Sequence, residues 1–230
     1  GTIPTEIVRF EELQIISLVN NTIYGSLPPL IGQLSQLLDL DVHWNKMSGE
    51  LPRDIYNLTN LLVLNLGYNA FNGTLSEELG NLEQLKGLHL KANTFGGSIP
   101  SAIGDLDKLE YLTLSDNLFT SWPEDAIALT NLRSLWIDRN KFKGRLHLPV
   151  AEELEELVVE INQFNGSLPD NLYKAKNLKY IKAGFNDFSG KLKDEIGNLK
   201  KLRLLQLWGN AFTGNIPLSL GTIDTLGTFK

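Results

Sequence analysis

Asparagine recurs along this chain with a near-constant period, and that period constrains the fold more than any other feature. It stands at Asn21, Asn45, Asn69, Asn93, Asn117, Asn140, Asn162, Asn186 and Asn210, at intervals of 24, 24, 24, 24, 23, 22, 24 and 24 residues. Each is preceded by one frame, L-x-x-L-x-L-x-x-N, seen clearly at Leu37–Asn45, Leu61–Asn69 and Leu202–Asn210. Two positions later comes an apolar column: Ile23, Met47, Phe71, Phe95, Phe119, Phe142, Phe164, Phe188 and Phe212. Two further on comes glycine, except at Ser121. Such a period marks stacked units, none of which can bury its apolar face alone. The L-x-L centre reads as a short strand with alternate side chains in and out. Stacking then makes one parallel sheet. The repeated Asn carries both donor and acceptor groups and is placed to bond loop backbone between neighbouring coils. The aromatic column predicts a stacked spine, and the glycine a backbone conformation closed to other residues.

The L-x-x-L-x-L-x-x-N frame is the leucine-rich repeat signature. The longer form, L-x-x-L-x-L-x-x-N-x-F-x-G-x-[IL]-P, resembles the plant-specific class of that repeat, with clear instances at Leu88–Leu106 and Leu205–Ile223. The resemblance covers essentially the whole chain. It implies a leucine-rich repeat solenoid: a curved, right-handed coil with a parallel sheet on its concave face and loops or 3-10 turns on its convex face. It also implies a setting outside the cell and binding of peptides, hormones, glycans or proteins, as in receptor-kinase ectodomains, receptor-like proteins, polygalacturonase inhibitors and algal relatives. We expect a single domain over 1–230, with nine complete strand frames and partial repeats at both ends. Neither end carries a polar cap, so the chain is expected to be a segment of a longer protein. The paired-cysteine caps common in that class are missing, since the chain has no Cys. Two repeats depart from the frame: Phe119-Thr-Ser-Trp122-Pro123 loses the glycine, and Gly144 to Pro149 is shortened. These are expected to distort the coil or carry a local feature.

Packing does not dictate the third, fifth, seventh and eighth positions of each frame, so binding is expected there. Exposed Trp and Tyr beside Arg are typical interface anchors. Trp136 and Trp208, three repeats apart, would lie ~14 Å from each other along the sheet. With Tyr111, Tyr180 and Lys182 they are expected to outline one aromatic patch. Trp44, Tyr68 and Phe185, in the eighth column, are expected to cover the strand edge and pack locally. Asp138 and Glu160 are neighbours in one column; their repulsion points either to a basic group on the partner or to neutralisation by Arg139. A second polar-aromatic patch is expected at Asp41, His43, Trp44, Tyr68 and His89. By contrast, Glu110, Arg133, Glu155 and Lys179 alternate in sign on successive rungs and read as a cross-strand ladder.

Chemistry is harder to find. Asp39, Asp41 and His43 share one strand face, but alternate side chains on a strand lie about 7 Å apart, awkward for a single ion. No metal or cofactor is expected. No Ser or Thr has a His with an orienting carboxylate in reach, and carboxylate pairs such as Glu156 and Glu160 lie on an open sheet. The chain is therefore read as no enzyme. Lys and Arg number 21 against 27 Asp and Glu, a net charge of −6. That balance argues against nucleic acid as a partner. No apolar run reaches the ~18 residues of a membrane span. A fifth column of nine different residues, Ser17 to Gln206, lacks the regular Thr or Asn array of an ice-binding face. N-x-[ST] sequons at Asn20, Asn57, Asn72 and Asn165 suit a secreted glycoprotein. The leading expectation is a non-catalytic extracellular or cell-surface module binding a peptide, protein or glycan on its concave face. The alternative is a structural or adhesive subunit that self-assembles.

Overall fold

A computed structural model describes residues 1–230. The L-x-L segments form ten short strands: Ile15–Ser17, Asp39–Asp41, Val63–Asn65, Gly87–His89, Tyr111–Thr113, Ser134–Trp136, Glu156–Val158, Tyr180–Lys182, Leu204–Gln206 and Thr228–Phe229. They lie side by side in chain order in one parallel sheet. The frame positions stay in register throughout. Ile15, Ile16 and Ser17 face Asp39, Leu40 and Asp41, and Ser134, Leu135 and Trp136 face Glu156, Leu157 and Val158 across the shortest interval.

Behind this sheet runs one continuous core. The aromatic column stacks as expected: from Phe71 to Phe212 successive rings lie 5.7–6.4 Å apart, with planes within 8–16° of parallel. Stacked rings of this kind add to what burial alone contributes. The ladder asparagines join the coils. Asn117 Oδ1 accepts from the Phe95 amide at 3.0 Å, and its Nδ2 donates to Leu90 O at 2.9 Å and Leu114 O at 3.1 Å. The bond pattern repeats from Asn45 to Asn210. Asn21, at the first coil, bonds only Leu18 O and Val19 O of its own coil.

The far side of every coil but one carries a 3-10 turn, usually opened by proline, as at Arg53–Asn57, Ser101–Asp105, Glu124–Ala128 and Asp170–Lys174. Proline's fixed φ suits that entry. A feature the frame did not announce lies between the ladder Asn and this turn. The residues there form further parallel strands along the flank. Tyr24–Gly25, Lys46–Glu50 and Ala70–Asn72 make one sheet. Gly96–Ser98, Leu118–Ser121, Lys143–Arg145, Gln163–Gly166, Asp187–Lys191 and Ala211–Thr213 make another. The column glycines close these strands with φ from +74° to +90°.

The two irregular repeats do bear a local feature. Trp122 turns inward, 5% exposed, and meets Phe142 edge-on at 5.9 Å. Its Nε1 donates to His147 O at 2.8 Å. Pairing shifts between Phe119 and Ser121. The shortened repeat that follows has no 3-10 turn between Glu124–Ala128 and Asp170–Lys174. A notch of about 350 Å³ occupies that place, lined by Ile127, Arg145, His147, Leu148, Pro169 and Asp170 among others.

Candidate functional site

The concave surface owes its shape to an unusual backbone choice. At the eighth frame position Asn20, Trp44, Tyr68, Ala92, Asp116, Arg139, Ile161 and Phe185 all adopt left-handed φ, from +51° to +57°. Gly209 is the one glycine in this column. The left-handed residue reverses the chain so that the ladder Asn points inward while its predecessors stay on the surface. Such a conformation costs roughly 1–2 kcal/mol for a residue with a Cβ. The ladder bonds that follow it hold it in place.

Around the middle rungs the surface dips into a cavity of about 350 Å³, lined by His89, Tyr111, Thr113, Arg133, Ser134, Trp136, Glu155 and Glu156. Trp136 forms part of its floor. Its Nε1 donates to Glu156 Oε2 at 2.9 Å, and Ser134 Oγ donates to the same oxygen at 3.3 Å. The indole is thus fixed before any ligand arrives. His89 Nδ1 lies 3.1 Å from Thr113 Oγ1. Burial pushes the His89 pKa down, so the ring is neutral at pH 7. Lys91 Nζ stands 5.7 Å from the centroids of both Tyr68 and Trp136. A cation between two rings ties them together with about 0.5–1 kcal/mol for each exposed contact.

This arrangement redraws the two expected patches. Trp136 is coupled through Lys91 to Tyr68, and Tyr68 stacks on Trp44 at 4.3 Å with planes 17° apart. His89 and Tyr111 line the same cavity. Trp208, expected to pair with Trp136 in one patch, instead rests on Phe185 at 4.2 Å, both half exposed. Local packing of Trp44, Tyr68 and Phe185 agrees with their position at the strand edge. Tyr180 and Lys182 lie partly buried on the rung that Phe185 follows, beside the Trp208 group.

Asp138 departs from the expected exposed acid. It is 9% exposed, accepts a hydrogen bond from Ser115 Oγ, and has Arg139 Nε 3.9 Å away. Arg139 Nε also lies 3.8 Å from Asp116. The guanidinium neutralises this pair from within the chain, leaving Glu160 as the more accessible carboxylate. Asp41 is likewise engaged: Oδ1 lies 2.5 Å from His43 Nδ1, and Asn65 Nδ2 donates to Oδ2 at 3.2 Å. Burial, then the Asp41 charge, raises the neighbouring Asp39 pKa. No three His, Asp or Glu side chains converge on one point. The sign-alternating column pairs as expected, Arg133 with Glu110 at 3.2 Å and Lys179 with Glu155 at 2.5 Å. Asn20, Asn57, Asn72 and Asn165 are all exposed.

Sequence reasoning passed over Lys91, Thr113, Ser134 and Glu156 as binding residues. All sit in the outward columns, but their types carry no signal; only the neighbour on the next rung makes them part of the site.

A family profile described as a leucine-rich repeat region matches residues 1–96. The chain is a leucine-rich repeat protein. Its repeats are of the plant type, and plant receptor ectodomains are among the solved structures it resembles. A TDR receptor superposes with a TM-score of 0.94 at 30% identity, covering 98% of this chain and 40% of that one. The Arabidopsis receptor kinase HAESA, solved with the peptide hormone IDA and the co-receptor SERK1, gives 0.93 at 34%, covering 98% and 38%. A plant ice-binding protein gives 0.82 at 25%, covering 94% and 71%. The leucine-rich repeat chain thus spans about two fifths of the receptor chains it matches. No curated protein matches it by sequence. No helix is long and apolar enough to cross a membrane.

Proposed function

We propose that this solenoid is a non-catalytic recognition module outside the cell, and that it binds an extended peptide along its concave face. The observation that carries the reading is the cavity over Trp136, where an indole is already oriented by Glu156 and flanked by Lys91. A preset aromatic floor lowers the ordering cost of binding. Tyr111 and Glu160 extend the surface along the sheet on either side. HAESA, one of the similar receptors, was solved with a peptide hormone, which supports a peptide over a glycan. The irregular fifth column argues against an ice-binding role, despite the shared fold with one ice-binding protein.

The test is selection from a random peptide display library on the intact protein. Enriched peptides should lose at least about tenfold in affinity when Trp136→Ala and Glu156→Ala are combined, as expected of an interface anchor. Peptides that bind this variant as well as the parent, with melting unchanged, would refute the site. Strong retention on a glycan array with no peptide enrichment would favour a glycan ligand instead. The extracellular setting has its own check: mapping the native protein for glycans on Asn72 and Asn165, both of which should be occupied.

A further inference from the structure

One strand of the flank sheet stands apart from the rest. The strand is short, Lys143–Arg145, with Gly144 at φ +85° between its two cations. Phe142, Leu146 and Leu148 around it are buried, while Lys141, Lys143 and Arg145 are exposed and His147 partly so. Three cations and an imidazole thus alternate with buried or glycine positions along one stretch of the flank. No carboxylate lies within 4.0 Å of Lys141, Lys143 or Arg145 in a protein of net charge −6. The nearest acid of the notch wall, Asp170, is already held by Lys193 at 2.6 Å. The row is not consumed by folding.

It also leads somewhere. Arg145 and His147 line the notch left by the missing 3-10 turn. Ile127, 48% exposed, gives that notch an apolar wall. A basic row ending in a part-apolar recess selects a partner that is acidic and then apolar.

We infer that this flank strand and notch form a second binding surface, separate from the concave face, for an extended acidic segment of a partner protein. Acids at alternate positions of such a segment would meet cations that also stand at alternate positions, Lys141, Lys143 and Arg145. An apolar residue after the last acid would enter the notch beside Ile127. Electrostatic attraction of this kind speeds association and is screened by salt.

The experiment is fluorescence anisotropy with a labelled peptide of alternating Glu and Thr ending in Leu, on the full chain. The controls are a peptide of the same composition with its acids clustered, and a polyuronate oligosaccharide. The alternating peptide should bind best, and its affinity should fall at least ~10-fold between low salt and about 0.5 M salt. Lys143→Glu with Arg145→Glu should abolish that binding, whereas Lys46→Glu, an equal change of charge type on another flank strand, should leave it intact. Ile127→Asp should weaken it without changing the clustered control. Equal binding of both peptides, tighter binding of the polyuronate, or indifference to the Lys143 and Arg145 changes would each overturn the proposal. Loss of the concave site through Trp136→Ala should not affect it, so the two surfaces fail independently.

Discussion

The concave sheet runs unbroken through all ten strands, while the flank sheet divides between Ala70–Asn72 and Gly96–Ser98 and thins to one paired position, Ser121 with Lys143. Both are parallel and both belong to the same coils. The difference lies in what fixes them. The eight inner concave strands are held on one side by buried apolar residues and on the other by a ladder Asn whose bonds cross to the preceding coil. The flank strands have mostly small or charged residues, with a positive-φ glycine in or just after each one except Leu118–Ser121. Changes of repeat length from 24 to 22 residues are therefore absorbed on the flank and the far side, and the concave register never feels them.

That contrast can be broken at its strongest point. Asn117→Ala removes bonds to Phe95 N, Leu90 O and Leu114 O from a buried position. It should cost about 3 kcal/mol in urea unfolding, since each group left without a partner is expensive. Asn21→Ala, at an exposed end of the same ladder, should cost well under ~1 kcal/mol. Equal costs would mean that the ladder does not hold the sheet.

Trp122→Phe probes the flank. It keeps the edge-on packing against Phe142 but strands the His147 carbonyl, for a loss of about 1–2 kcal/mol. Amide exchange should rise along Lys143–Arg145 and stay unchanged along Ser134–Trp136. Faster exchange in both would show that the sheets are not independent.

A smaller effect concerns pH. The His89 pKa is depressed by burial, so the unfolded chain binds the proton more readily. Its contribution is complete above the ordinary histidine range near pH 6.5 and is lost as pH falls through that range toward the folded pKa. His89→Gln should flatten the rise in stability seen between pH 5 and 7.5. The same slope in parent and variant would assign it elsewhere.

The smallest expected change is the most pointed. Two residues inserted after His147 would restore the usual repeat length. Loop-closure entropy should make this cost less than ~1 kcal/mol. The notch should fill while peptide binding on the concave face stays within about twofold of the parent.

Much of this was legible from residue identity. The Leu columns, the Phe spine and the Asn ladder are each set by one position recurring at one spacing, so the buried half of every coil follows from the frame. The flank sheet was not. Segments such as Lys46–Glu50 hold Lys, Ser, Gly and Glu, poor strand formers that pair only because stacking brings equivalent backbone together. Left-handed φ at Trp44 or Ile161 was equally hidden, because these side chains normally avoid it and the ladder imposes it. In the candidate site, the outward columns located Trp136, Tyr111 and His89. They could not show that Glu156 would orient the indole, that Lys91 would link it to Tyr68, or that Ser115 and Arg139 would enclose Asp138.

The eighth column has one more consequence. Glycine would relax the backbone at each of its left-handed residues, most of all at the β-branched Ile161. For the coil alone, drift in this column therefore runs downhill toward glycine. Only Gly209 has arrived there. The other eight side chains are held uphill, like type locked in a frame. Were they released, the coil would gain in firmness and its inner surface would carry less text for a partner to read.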